Sequence, residues 1–386
     1  MSRIAVVGLG HMGQSALKIL VDRLPKSTFL AIDRSAVAVD AAVALSPMAI
    51  DGRQTDVSQG ILVLDGVDVV VNLAGPFFSG SDAVARAALA AGADYVDICD
   101  DVEGTEAVLA LHDQAQAANV TLVTGAGLSP GVSNWMACRL LAEHPTADGV
   151  QVAWVVHESD PGGLAPLRHM LHMAVNPCPV WKDGQWIKTA GFVPATAASF
   201  AFPEPLGVVE VFDTAHPEPV TLARHFPTLM YAGCKGALQP QWANGAFSTL
   251  GQIGFGYSDV KVDVQGVLVE PAEVLWKLRW ARYEKRPTRQ RLATTAVLVQ
   301  ALEGDTVVGA LAISDDMVMA RGTGLGAAVA VIALLEHGAG SGAWGPEALR
   351  WDVALPLFEE LASAQGGYHD GVVAMHVAVP GSSTQV

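Results

Sequence analysis

Ile4-Ala5-Val6-Val7-Gly8-Leu9-Gly10-His11-Met12-Gly13-Gln14 is the stretch that decides the fold. Four apolar residues in a row, without the alternation of a half-exposed strand, fit a parallel strand covered by helices on both faces. The run stops at Gly8, and from Gln14 to Arg23 the apolar positions Ala16, Leu17, Leu20 and Val21 recur at helical spacing. The glycines therefore sit in a strand-to-helix turn. Gly8 allows the bend, Gly10 lets a pyrophosphate approach the main chain, and Gly13 lets the helix pack close to the strand. The helix N-terminus offers unpaired N–H groups and partial positive charge to the phosphates, with His11 and Met12 inside the turn. Isolated glycines at this spacing also occur in plain flexible loops; here the strand before and the helix after them make a dinucleotide site.

Working outward, a second strand from Thr28 to Ile32 ends in Asp33, placed to accept hydrogen bonds from adenosine ribose hydroxyls. That favours NAD. Arg34 follows, and its guanidinium suits a 2′-phosphate or an adenine ring, so NADP stays open. Asp56 and Val57, after a third strand near Met48 to Ile50, border the adenine or belong to an ordinary exposed loop. Strands at Asp68–Leu73, Tyr95–Cys99 and Val120–Thr124, with helices at Asp82–Ala91 and Thr105–Asn119, complete a Rossmann doubly wound parallel sheet of the α/β class. Ligands in such sheets bind beyond the carboxyl ends of the strands. Asn72, Ala74, Gly75, Pro76, Phe77 and Gly127 are therefore assigned to the cofactor, and Tyr95, Asp97, Asp100 and Asp101 cluster about the fifth strand, with Tyr95 assigned to the substrate. Asp101 reads as the cap of the next helix.

A chain of 386 residues, 51% apolar, is too long for one ordinary core. We expect a Rossmann domain over 1–130, an α+β substrate domain over 131–345, and a tail over 346–386 that packs back on the first domain. In the second domain Val150–His157 alternates, Trp181–Trp186 turns on Asp183-Gly184, and Gln290–Gln300 pairs with Thr306–Ser314. Helices are expected at Pro271–Tyr283 and Gly324–His337, and Pro356 should divide the tail into two short helices. The 23 basic and 39 acidic residues leave −16, with no Lys/Arg run, which argues against nucleic acid or an anionic membrane as partner. Cys99, Cys138, Cys178 and Cys234 lie far apart without zinc spacing, and the N-terminus reads as a strand and not a signal peptide. The expectation is a cytoplasmic protein with no metal site and no membrane span. His169 and His172, three apart and without a third ligand in the sequence nearby, read as structural.

Three segments carry a resemblance: Val120–Leu141 (VTLVTGAGLSPGVSNWMACRLL), His216–Pro227 (HPEPVTLARHFP) and Thr323–Leu349, with its Trp-Gly-Pro-Glu. In this order and spacing the chain resembles the saccharopine dehydrogenase-like oxidoreductases, including lysine epsilon-dehydrogenase-like and saccharopine reductase-like proteins. The resemblance implies a substrate domain whose sheet forms a homodimer interface. It also implies hydride exchange at a carbon bearing an amine or imine, with an amino acid or imine conjugate as substrate. For that chemistry Asp97 and Asp100 are candidates to orient the amine and manage its protons, helix capping or ribose binding being the competing roles. The substrate carboxylate needs a cation: Arg224, after the HPEPVTL segment, is the first choice, Arg168 the reserve, and Lys235 a third. Each competes with an ordinary surface or solvated role. A cofactor-binding redox sensor or scaffold without catalysis is the alternative function.

Overall fold

The structure is a computed structural model that describes residues 2–58, 62–80, 82–160, 162–257, 259–286, 294–315, 318–365 and 368–375. The first third forms six parallel strands, β1 (Arg3–Val7), β2 (Thr28–Asp33), β3 (Ile50–Gln54), β4 (Val69–Asn72), β5 (Asp94–Asp97) and β6 (Thr121–Val123), of which β3 begins where the expected third strand ends and is polar. They lie in the order β6-β5-β4-β1-β2-β3, and a seventh strand, Gly342–Trp344, adds parallel to β6. The central strands are buried on both faces, as continuous apolar strands require: Ile4 and Val6 pack into one layer, Ala5 and Val7 into the other. The helix α1 (His11–Arg23) follows β1 and buries Gly13, Ala16, Leu17, Ile19 and Leu20. One expected helix is in fact two, Val102–Leu109 and His112–Ala117, joined where buried Leu111 turns into the core.

The second domain is built on a mixed sheet of nine strands. Gly149–His157 and Tyr231–Gln239 run parallel at its centre, and Thr295–Glu303 and Thr306–Asp315 continue it antiparallel. The Asp183-Gly184 hairpin forms as expected, with both residues at positive φ. The expected strand start at Gln290 lies outside the described residues. Helix Pro271–Glu284 keeps Pro271 in its first turn.

The chain then returns to the first sheet. Helix Met319–His337 has the length and hydropathy of a membrane span, but most of it is buried against α1 and the tail helix. Its small residues permit that approach: a Cβ on Gly324 would stand 2.7 Å from the Met12 carbonyl oxygen, and one on Gly326 would strike that of Gly127. This helix thus braces the dinucleotide turn from behind. Against expectation, the tail helix Trp351–Gln365 runs unbroken through Pro356. Proline removes one N–H there, but Ala354, Leu355, Phe358, Leu361 and Ala362 bury a continuous apolar face, which outweighs one lost hydrogen bond.

Candidate active site

The carboxyl ends of the Rossmann strands open into a cavity of about 1040 Å³, closed on its other side by the second domain. Every residue assigned to the dinucleotide from the sequence lines it: Gly8, Gly10, His11, Met12, Gly13, Asp33, Arg34, Asp56, Val57, Asn72, Ala74, Gly75, Pro76, Phe77 and Gly127. The turn itself has the required shape. Gly8 sits at φ +87°, where a Cβ would lie 2.6 Å from the Ala74 nitrogen, and a Cβ on Gly13 would strike the Gly8 carbonyl oxygen. A Cβ on Gly10 would meet nothing within 4 Å, so the turn is closed on two sides and open on the third. The Asp33 carboxylate accepts from Leu9 N at 2.6 Å and from Ser35 N at 2.8 Å, which locks the turn to the end of β2. Arg34 is exposed beside it. Asp56 closes its own turn on Ser58, whose hydrogen bonds hold its carboxyl below the usual value. These features fit a nicotinamide dinucleotide.

The acids about β5 sort differently from the sequence reading. Strand side chains alternate between faces, so Tyr95 and Asp97 share the face turned from the second domain, and neither lines the cavity. Asp97 is fully buried and accepts from Cys99 N, Thr124 Oγ1 and Gly125 N at 2.7–2.9 Å, fastening β5 to the turn after β6. Burial pushes it up to about 6, against the hydrogen bonds from Cys99 and Gly125. The Tyr95 hydroxyl accepts from Asn72 Nδ2 at 3.1 Å. Asp100 does line the cavity, and burial raises its carboxyl, against the pull of His169 and His216.

Asp101 is not a side-chain cap. One of its oxygens accepts from Phe77 N and Phe78 N, both at 3.0 Å, and the other meets His169 Nδ1 at 2.6 Å. Burial would lower the His169 imidazole, but Asp100 and Asp101 overcome it and lift it to about 9. His169 and His172 thus part company. The first lines the cavity, while the second bonds Glu103 and Asn176 and stacks on Phe78.

The sequence reading missed His216 and Glu218. His216 lines the cavity 5.3 Å from the His169 ring, and its Nδ1 meets Glu218 Oε2 at 2.7 Å. The other Glu218 oxygen accepts from Ser129 Oγ at 2.5 Å and Ser133 Oγ at 3.2 Å. Burial would raise Glu218, but His216 beside it holds it low. The signal was present, since both residues open the HPEPVTL segment, but an i,i+2 His–Glu pair has no diagnostic spacing of its own. The structure also brings the ligand-type atoms of His216, Glu218 and Cys234, and those of Asp100, Asp101 and His169, within 4.8 Å of one another. The wide sequence separations concealed both groupings.

The expected carboxylate-binding cations fare unevenly. Arg224 is exposed in the last turn of helix Glu218–His225 and does not line the cavity, because that helix points its buried face, Thr221 and Leu222, inward. Lys235 is inside the second sheet, bonded to Asp213 at 2.5 Å and to the Thr196 carbonyl at 2.8 Å. Arg168 lines the cavity, but its guanidinium is held by both oxygens of Glu270.

With that geometry in place, comparison with known proteins is specific for the first domain. Residues 4–123 match the family model described as the saccharopine dehydrogenase NADP binding domain. Among solved structures, an apo saccharopine dehydrogenase (L-Glu forming) from Saccharomyces cerevisiae aligns at 15% identity and TM-score 0.63, covering 98% of this chain and 100% of that one. A homospermidine synthase from Legionella pneumophila in complex with NAD aligns at 14% identity and TM-score 0.57, covering 92% and 89%. These likenesses establish a shared two-domain fold.

Within this fold the three segments that carried the resemblance converge on one buried network. Ser129, Ser133 and Asn134 come from the first segment, His216, Glu218 and Thr221 from the second, and Glu347 from Trp-Gly-Pro-Glu. Ser133 donates to Glu218 and to Asn134 Oδ1, and Asn134 Nδ2 donates to Thr221 and, at 2.6 Å, to Glu347. The network therefore runs from the edge of the first sheet to the imidazole in the cavity.

Proposed function

We propose that the protein is an NAD(P)-dependent oxidoreductase that moves hydride between the nicotinamide and an amine- or imine-bearing carbon of an amino acid or amino-acid conjugate. The observation that carries this reading is one cavity holding both a dinucleotide turn and an imidazole, His216, oriented by buried Glu218. The first domain's family match and the amine-derived names of the two fold relatives support it.

The bound dinucleotide supplies the hydride acceptor or donor. The α1 N-terminus and the glycine turn would hold its pyrophosphate, and Asp33 or Arg34 would hold the ribose or its 2′-phosphate. With Nδ1–H donated to Glu218, His216 keeps its Nε2 lone pair for a proton. That nitrogen takes a proton from the substrate ammonium, freeing the electron pair that forms the C=N bond as the hydride leaves, and returns it in the reverse direction. Asp100 offers a carboxylate to the ammonium before that transfer. A sensor would need the cofactor turn alone, whereas an oriented imidazole between buried acids costs stability that catalysis explains.

The test is absorbance at the reduced nicotinamide band, with NAD⁺ or NADP⁺ and a panel of amino acids and diamines, and with keto acid and amine pairs in reverse. Turnover with an amine or imine pair is expected. Tight dinucleotide binding with no turnover on any member would replace the enzyme with the sensor. Arg34→Ala separates the dinucleotides: selective loss of NADP⁺ affinity assigns Arg34 to the 2′-phosphate, and unchanged affinity leaves NAD with Asp33.

A further inference from the structure

Trp154, His169 and His216 stand together on the cavity wall. Trp154 projects from the central strand Gly149–His157, and Gly236, its register partner on the neighbouring parallel strand, leaves room for the indole; a Cβ there would run into the ring. The ring centroids of Trp154 and His169 lie 5.7 and 5.3 Å from that of His216. Trp154 and His169 are each only 4% exposed, yet Trp154 Nε1 and His169 Nε2 find no partner among the described residues. An unmet buried donor costs about 1–3 kcal/mol, so two of them on residues that line one cavity call for an acceptor that arrives with a ligand.

The character of that acceptor follows from the donors. Indole Nε1 only donates. His169 has its Nδ1 on Asp101 and is charged at neutral pH, so its Nε2 donates as well. Two donors, one cationic, complement a small acceptor-only anion. Of the other cations lining the cavity, Arg168 has both prongs on Glu270 and Arg279 donates to the Glu158 carbonyl, while Arg34 and Lys261 are exposed. Arg224 and Lys235 do not line the cavity.

We propose that His169 and Trp154 form a carboxylate-binding subsite beside His216, which takes a carboxylate of the substrate and so selects amino acids or keto acids over simple amines and aldehydes. This rests on the oxidoreductase reading for its place in a reaction, but not for the binding itself. It moves the carboxylate cation from an arginine to a buried imidazolium.

The experiment measures equilibrium binding of pyruvate, glyoxylate and oxalate, with pyruvamide as the uncharged control, to the full chain saturated with NAD(P)H, by calorimetry and tryptophan fluorescence. Carboxylates should bind tighter than pyruvamide. His169→Gln, which keeps a neutral donor, should weaken carboxylates by about 10- to 100-fold, as expected for one charge-assisted hydrogen bond, with little effect on pyruvamide. Trp154→Phe should weaken them by about 3- to 10-fold. Wild-type affinity should fall as pH passes about 9, where His169 loses its charge among Asp100, Asp101, Glu103 and His216, and this dependence should vanish in His169→Gln. His216→Gln should keep carboxylate binding while losing turnover. Unaltered melting of Trp154→Phe guards against misfolding. Carboxylates binding no better than pyruvamide, or with unchanged affinity in both variants, would overturn the subsite even if amines are turned over. Variant-sensitive carboxylate binding without turnover would leave the subsite standing and remove the oxidoreductase reading.

Discussion

Glu347 of the Trp-Gly-Pro-Glu segment offers a quantitative test of the buried network. Its carboxyl is 5% exposed; Oε1 accepts from Asn134 Nδ2 at 2.6 Å and Thr221 Oγ1 at 2.8 Å, while Oε2 has no partner among the described residues. Burial pushes it from its ordinary 4.5 up to about 7, against the hydrogen bonds from Thr221 and Asn134. Between those values the folded protein holds a proton that the unfolded chain has released, so stability falls as pH rises through this window and the loss is complete above about 7. At 1.36 kcal/mol per pH unit the loss is about 3 kcal/mol. Glu347→Gln is isosteric: its amide oxygen accepts the same two bonds and it has no charge to bury. Variant and wild type should be within about 1 kcal/mol at pH 4.5, and the variant should be more stable by about 3 kcal/mol at pH 8.5, roughly 5 °C in Tm. Urea unfolding followed by circular dichroism at both pH values reads the difference. Parallel stability curves, or a variant weaker at every pH, would refute the argument that Glu347 is an expensive buried carboxyl.

Two further perturbations probe neighbouring claims. Gly10→Ala should leave the melting temperature of the free protein unchanged, because its Cβ meets nothing within 4 Å, yet weaken dinucleotide binding; Gly13→Ala should lower the melting temperature itself, since its Cβ strikes the Gly8 carbonyl oxygen. Calorimetric titration with scanning calorimetry separates the two, and equal effects on both quantities would contradict the turn geometry. Lys235→Met should cost about 3–5 kcal/mol by stranding Asp213, with the double variant Lys235→Met/Asp213→Leu recovering most of it and carboxylate affinity unmoved. A selective loss of that affinity would return Lys235 to the site.

Legibility in the sequence followed the range of the interactions. Helix Asp82–Ala91 and the Asp183-Gly184 hairpin form where local pattern places them, because periodicity and turn chemistry are decided within a few residues. Pro356 misled because local propensity was outweighed by an apolar face seen only once the tail docks. Asp97 and Asp101 departed from their expected roles for a similar reason. Both flank the end of β5, but alternation along the strand turns Asp97 to the far side, and Asp101 meets a histidine 68 positions away.

The sequence alone determined the dinucleotide turn, since Gly8, Gly10 and Gly13 act through their own backbone and through the strand and helix that adjoin them. Asp33 was equally legible, standing at the end of the next strand of a fold whose order those elements imply. Tertiary structure decided the chemistry. Asp101, His169, the His216–Glu218 pair and Glu347 come from four separate parts of the chain, and no spacing rule links them. Their protonation depends on burial and on one another, which exist only after the second domain closes the cavity and the chain returns to the first sheet.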